Sequence, residues 1–297
     1  MAESLDASLG TLYLVSTPIG NYDDWSERAK TIVCQVDVVA AEDTRKFGLL
    51  AAHHGLSTQK TTSYFKGNEN RKTDSLLEWL KEGQSIALVS DAGTPLISDP
   101  GEELVRRARD LGVDVKVIPG PSALTAALAG CGLPVNNVFF KGFLPRQKSA
   151  RRKELLKLKY LEATLVFYES PRRLLSMLVD LKECLHPKRQ AVVVRELTKT
   201  YEEYIPGTLA ELVGIFEARD AKGETVVVVE PRTHLEDKEV DLESEILELS
   251  QKGYSPKDIT NKLVLSTGKP KRHIYQLTLS LLRHNLMRVN KDDPKSD

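Results

Sequence analysis

Apolar positions along the chain follow two periods that alternate. Short, nearly continuous runs, "TLYLVS" at 11–16, "VDVVAAED" at 36–43, "SIALVSD" at 85–91 and "DVKVIPG" at 114–120, read as buried strands. Between them apolar residues fall three and four apart, as at Leu76, Leu77 and Leu80 in "RKTDSLLEWLKEG", the spacing that lines one face of a helix. "GEELVRRARDLG" opens on acids and closes on glycine, and "PSALTAALAGCGL" has its proline where a first helical turn tolerates one. Strands alternating with helices predict an α/β domain with a largely parallel sheet over residues 1–121. A second unit, 122–232, takes shape from "NNVFFKGFLPR" onward, with strands at "ATLVFYES" (163–170), "QAVVVRE" (190–196) and "ETVVVVE" (224–230) and a helix at "SPRRLLSMLVDLKECL". Its less regular spacing predicts a mixed α/β domain. Residues 233–254 read as an acidic linker. Residues 255–290 read as a small helical unit with two helical segments around "STGKPK", and 291–297 as a disordered tail.

Composition changes this picture in two ways. No apolar run approaches the roughly 18 residues a membrane span needs, and the polar, acidic start is unlike a secretory signal, so a cytoplasmic protein is expected. Cys34, Cys131 and Cys184 are too widely spaced for a disulfide framework or a zinc site, and the six histidines show no ligand spacing, so no metal is expected. The net charge of zero hides segregation. Residues 141–160 carry eight Lys/Arg against Glu154, residues 233–250 seven acids against Lys238, and residues 255–291 eight Lys/Arg against Asp258. Basic blocks of that kind predict a polyanionic partner touching part of the surface.

The turns that follow the strands hold the candidate chemistry, because ligands of open α/β sheets bind at the strands' carboxyl ends. "SDAGTPLISDPG" has glycines, prolines and aspartates but no lysine or arginine. Neither GxxxxGK[ST] nor GxGxxG occurs, so phosphate cradles are not indicated. A ligand read by backbone groups and carboxylates, uncharged or cationic, suits these loops, and S-adenosylmethionine is one. Gly, Pro and Asp equally make plain tight turns, and composition leaves both readings open. Carboxylates at strand ends, Glu42, Asp43 and Glu169, and the Arg195–Glu196 pair with Lys199 are candidates for proton transfer or charge stabilisation, or for helix capping and structural ion pairs.

Six blocks, "LYLVSTPIGN", "AAEDTR", "LVSDAGTPLISDPG", "VIPGPSA", "FYESPRRL" and "RELTKTYEE", occur in this order. Together they resemble the tetrapyrrole methylase family, in its branch that methylates small-subunit ribosomal RNA, densely over residues 11–230. The resemblance implies two α/β domains of the tetrapyrrole methylase type with the cofactor in the cleft between them, to which the residue pattern adds the small C-terminal helical unit. It implies S-adenosylmethionine as cofactor, a homodimer, and 2′-O-methylation of a cytidine ribose in 16S RNA, naked or in the assembled small subunit. Carried over by residue, Thr17, Pro18, Ile19 and Gly20 border the cofactor. Asp91, Ala92, Gly93, Thr94, Pro95 and Ile97 supply main-chain contacts. Pro119, Gly120, Pro121, Ser122 and Ala123 form the matching turn, and Phe143, Tyr168 and Glu169 come from the second domain. Glu169, Arg195, Glu196 and Lys199 are the expected catalytic residues. The basic blocks make Lys141, Arg146, Lys148, Arg151, Arg152, Lys269, Lys271 and Arg272 the expected RNA contacts. One departure stands out: the family usually reads "HEHNE" where this chain has "FKGNE", so Phe65 and Gly67 replace two histidines and Lys66 or Asn68 would have to serve instead. A methylase of a tetrapyrrole or other small molecule, and a non-catalytic RNA-binding assembly factor, are the competing readings.

Overall fold

The computed structural model describes residues 8–232, 242–267 and 270–289. Strands β1 (Thr11–Val15), β2 (Val38–Ala41), β3 (Thr61–Ser63), β4 (Ile86–Val89) and β5 (Asp114–Ile118) form one sheet in the order β3-β2-β4-β1-β5. Every pairing in it is parallel. The strand period of two assigns the faces. On β4, Ile86 and Leu88 pack with Leu76, Leu80 and Leu104 of helices α3 (Glu69–Lys81) and α4 (Glu102–Asp110). Ala87 and Val89 point the other way, to Val33, Phe47 and Leu50 of α1 (Glu27–Gln35) and α2 (Thr44–His53). A sheet covered on both faces requires the unbroken apolar strands seen in the sequence.

The second sheet, β6 (Val138–Phe143), β7 (Thr164–Glu169), β8 (Gln190–Arg195), β9 (Glu203–Thr208) and β10 (Thr225–Val229), runs β6-β7-β10-β8-β9. Only β6 and β7 are parallel; the remaining pairs are antiparallel. One face, with Leu165, Phe167, Val193 and Val227, packs on helices α6 (Lys148–Leu158), α7 (Pro171–Cys184) and α8 (Leu209–Ala218). The opposite face, with Val166, Val192, Val194 and Val226, takes Ala127 of α5 (Ala123–Gly130) and also Ile19 from the turn after β1. That shared cluster couples the two units and sets the floor of the cleft between them.

Three strands lack the clean, unbroken apolar run that announces the others. β3 is "TTS" at a sheet edge, β6 carries Lys141 and a register shift between Phe140 and Gly142, and β9 holds Pro206 and pairs on one side only. Proline and glycine are tolerated at such edges and bulges. Helix α5 begins after Pro121, not around it, with Ser122 at its N-cap. The reading of 233–254 as linker is corrected at Leu242–Gln251, which forms a helix, α9. Leu242 and Ile246 of α9 are buried with Ile259, Leu263 and Ile274 of α10 (Pro256–Thr267) and α11 (Lys271–Val289). The two helical segments predicted around "STGKPK" thus gain a third and a core of their own. The predicted tail, 291–297, lies outside the described residues. No described helix is long and apolar enough to cross a membrane.

Candidate active site

Strand ends and their turns build a cavity of about 400 Å³ between the two sheets, within the usual size range for small-molecule sites of about 300–1,000 Å³. The turn after β4 forms one wall. Gly93 exchanges two backbone hydrogen bonds with Thr17, at 2.9 and 3.0 Å, so the turns after β1 and β4 brace each other. The Thr17 hydroxyl donates to the Ser90 carbonyl at 3.1 Å, and Ser16 Oγ and Thr94 Oγ1 lie 3.0 Å apart. Further along, Leu96 and Ser98 both have φ of 73°, between Gly93 at 88° and Gly101 at 131°. Non-glycine residues in the left-handed region cost on the order of 1–3 kcal/mol each, and such strain gathers at functional sites. The Gly101 N–H donates to Glu69 Oε1 at 3.2 Å, which pins the far end of the loop to α3.

The second sheet supplies the opposite wall. Alternation along β7 puts Tyr168 on the same face as Val166, with its ring edge-on to Phe140 at 5.0 Å and to Phe143 at 5.7 Å. Burial, with a contribution from Asp99, pushes the Tyr168 phenol up to about 12. Phe143 is 56% exposed and stands at the cavity mouth. Glu169 closes the β7 end. Its Oε1 accepts the Ser170 N–H at 2.8 Å, and its other oxygen pairs with Arg173 at 3.0 Å.

The lining is acidic: Glu42, Asp91, Asp99, Glu169 and Glu224 face the cavity, against one cation, Lys46. Lys46 is already bound to Asp91 at 2.6 Å. Asp91 also accepts the Asp43 N–H at 2.9 Å and, through its own N–H, donates to Glu42 at 3.2 Å. Burial raises Glu42 above the ordinary carboxylate range, against the pull of that hydrogen bond. Asp99 is pushed up to about 7, first by burial and next by the charge of Glu42, while a hydrogen bond from Ser90 offsets part of the rise. Such shifts in a cleft mark functional candidates.

Of the expected cofactor residues, Ile19, Asp91, Ala92, Gly93, Thr94, Ile97, Ser122, Ala123, Phe143, Tyr168 and Glu169 line this cavity. Thr17, Pro18, Gly20, Pro95, Pro119, Gly120 and Pro121 are not on its wall. Several of them hold the wall from behind. A Cβ on Gly120 would sit 2.9 Å from Ser16 Cβ, and one on Gly20 would sit 2.6 Å from Lys199 Cγ. The expected catalytic set divides in the same way. Glu169 reaches the cavity, but Arg195, Glu196 and Lys199 do not. Arg195 is taken up by the Lys222 carbonyl and by Glu203 at 2.8 Å, and Lys199 by Glu196 and Glu224 at 3.1 and 3.0 Å. Asp43 caps α2 and is paired with Arg45 at 2.8 Å, which holds its carboxyl far below the usual range. Phe65 and Gly67 are not on the wall either, and Asn68 is engaged in its own turn, with Phe65 N–H and the Ser63 carbonyl. Sequence alone passes over Asp99, because its context, Ser-Asp-Pro-Gly, reads as an ordinary turn. The signal that could find it is a second aspartate in a Gly/Pro loop whose first already has a partner.

A groove of about 710 Å³ adjoins the cavity and shares Phe143 with it. Lys141, Arg146, Lys153, Lys157 and Arg173 line the groove, opposed by Glu154. Lys157 and Lys141 both bind Glu154 and hold its carboxyl down at about 2. Arg146, Lys148 and Lys153 are exposed. The expectation that Arg151 meets RNA is corrected: it is 4% exposed and bound at 2.6 Å to Asp180, itself fully buried. Arg152 is partly exposed and paired with Glu183 at 2.6 Å. Lys271 and Arg272 stand exposed in the first turn of α11, and Lys269 lies outside the described residues. Among the described residues no group of three or more His, Cys, Asp or Glu is placed to hold a metal ion.

A family model described as tetrapyrrole (corrin/porphyrin) methylases matches residues 11–213. A protein of Synechocystis named ribosomal RNA small subunit methyltransferase I is 42% identical, over 92% of this chain and 99% of its own. One of the same name in Bacillus subtilis is 40% identical over 91% of this chain and 94% of its own. In fold, the chain is similar to uroporphyrin-III C-methyl transferase from Thermus thermophilus complexed with S-adenyl homocysteine. That match has a TM-score of 0.54 at 19% identity and covers 74% of this chain and 97% of that one.

Proposed function

The chain belongs to the tetrapyrrole methylase family, and from that premise we propose that it methylates the ribose 2′-hydroxyl of a cytidine in small-subunit ribosomal RNA, with S-adenosylmethionine as methyl donor. One juxtaposition carries the reading: an acidic cavity opens, past Phe143, onto a basic groove. A cavity with five carboxylates and a single, already paired lysine favours a sulfonium and an ammonium group and disfavours phosphates. The groove has the opposite preference, since cations along a channel neutralise a phosphate backbone. The RNA in the relatives' names fits the groove, and the cationic donor fits the cavity.

The residues present suit that donor. Gly93 has no side chain to stand between a ligand and the loop backbone, and Ile19, Ala92, Ala123, Leu197 and Val226 give the apolar surface an adenosine needs. Gly93, Thr94, Ser122 and Ala123 would hold the donor, with Asp91 and Glu42 toward its cationic end. When bound, the donor supplies an already activated methyl group. What the chain adds is alignment of a ribose oxygen with that methyl, exclusion of water by Phe143 and Tyr168, and a place for the proton. Alignment of this kind is worth up to about 7–11 kcal/mol in ideal cases.

Lys271 and Arg272 extend the same reading to the C-terminal unit. Cations in the first turn of a helix oppose its dipole, so their placement favours an external anion over helix stability. A homodimer and a cytoplasmic location are part of the proposal. Labelled S-adenosylmethionine offered with small ribosomal subunits, naked small-subunit RNA and a tetrapyrrole precursor tests it. Label is expected in the RNA, free or assembled. Label in the tetrapyrrole would mean a small-molecule methylase, and no transfer with intact RNA binding would mean an assembly factor.

A further inference from the structure

Methylation of a hydroxyl releases one proton, and five carboxylates line the cavity that must receive it. Four are engaged. Glu169 pairs with Arg173 at 3.0 Å and accepts the Ser170 N–H. Asp91 binds Lys46 at 2.6 Å and accepts the Asp43 N–H. Glu224 pairs with Lys199 at 3.0 Å. Glu42 accepts the Asp91 N–H at 3.2 Å and also feels Lys46. Each of these four carboxylates therefore already has a partner in the fold. Asp99 differs. Among the described residues no cation pairs with it and no backbone N–H donates to it, and the neighbouring Ser90 hydroxyl donates to the Gly93 carbonyl at 3.2 Å.

Its position is also fixed. The loop passes through left-handed φ at Leu96 and Ser98 on the way to Asp99 and through Gly101 just after it, where Glu69 anchors the backbone. A Cβ on Gly142 would come 2.8 Å from Ser98 Oγ, so the bulge in β6 packs against the same loop from the second sheet. The strained segment is therefore held from both units and places an unpaired carboxylate on the cavity wall, with Glu42, Asp91 and Tyr168 as its titratable neighbours.

We propose that Asp99 is the base that takes the proton from the substrate hydroxyl, an inference that rests on the reading of this cavity as a ribose methylation site. As the ribose oxygen bonds to the methyl carbon, the carbon–sulfur bond breaks and sulfur keeps its electron pair as a neutral thioether. The hydroxyl proton passes to the Asp99 carboxylate and from there to water. A carboxylate raised toward 7 by burial and by Glu42 suits this task at neutral pH better than one of ordinary acidity.

Asp99→Asn and Asp99→Glu, compared with the unmodified protein in single-turnover methylation of small-subunit RNA, test the role. Asp99→Asn is expected to keep its fold by circular dichroism and its affinity for S-adenosylmethionine within about threefold, while the rate falls by about 10²–10⁴. The unmodified protein should gain rate about tenfold per pH unit up to about 7 and level off above it. Asp99→Glu should keep that profile at a reduced rate, and Asp99→Asn should lose it. In the cofactor-free protein, a ¹³C carboxyl resonance titrating near 7 should vanish in Asp99→Asn. An undiminished rate in Asp99→Asn, a parallel loss of cofactor affinity, or no carboxyl titrating above the ordinary range would each overturn the proposal. If the unmodified protein methylates no ribose, the functional reading falls and takes this proposal with it; normal methylation with an indifferent Asp99→Asn overturns the base alone.

Discussion

Gly93 does two jobs at once. Its N–H and carbonyl tie the turns after β1 and β4 together, and its φ of 88° lies where a β-branched residue is strained. A Cβ there would also stand 3.4 Å from Ile19 Cγ2, on the cavity side of the bridge. Gly93→Val is therefore expected to weaken S-adenosylmethionine binding by at least about tenfold and to lower stability by about 1–3 kcal/mol. Calorimetry and urea unfolding check the two effects, and normal cofactor binding would remove this loop from the site. The glycine was legible in the sequence, because a Gly/Pro turn after a strand announces close backbone approach. The partners of charged residues were not legible. Arg151 and Arg152 are adjacent and chemically alike, yet one is buried on Asp180 and the other reaches the surface. Helical rotation about α6 separates them, and only packing says which side is inward. Arg195, Glu196 and Lys199 show the same limit, since the ion pairs they make with Glu203, with Glu224 and with one another have the composition of a catalytic pair.

Among the elements, β6 and α6 make the groove that receives the negative charge of a substrate. Arg146 and Lys153 line it, and no ion pair engages either among the described residues. Lys141 and Lys157, in contrast, are spent on Glu154. Arg146→Glu with Lys153→Glu should therefore weaken RNA binding and flatten its salt dependence by about 0.7 in log–log slope for each phosphate left without its cation. Affinity for S-adenosylmethionine should not change, because neither residue lines the cavity. Fluorescence anisotropy over a salt series decides the matter, and an unaltered slope would place the RNA elsewhere. The basic block itself was plain in the sequence. Its strand was hidden, since β6 mixes Lys141, Gly142 and a bulge into an apolar run, and so was the groove that strand and helix make together.

The whole molecule is two sheets coupled through one shared cluster, with a three-helix unit that has a core of its own. Alternating periodicity made four strands of the first sheet and its parallel character readable, but not β3 or the strand order. The mixed second sheet depends on pairings between strands far apart in sequence, such as β10 with β7, which no local pattern specifies. Removal of all residues after 232 should leave the two-sheet body folded and still binding S-adenosylmethionine, because the cavity and its supports end at Val226 and Val229. RNA affinity should fall by about tenfold or more if Lys271 and Arg272 meet phosphates. A monomer by light scattering, with cofactor binding weakened, would instead make the helical unit a dimerisation element. Everything proposed for the cavity turns on which atom receives the methyl group. Small ribosomal subunits incubated with the protein and methyl-labelled S-adenosylmethionine, digested to nucleosides and separated by mass spectrometry, identify that atom. Label is expected in 2′-O-methylcytidine, with none in matching DNA, which lacks the hydroxyl. Label on a base, or on DNA, would rule out ribose methylation.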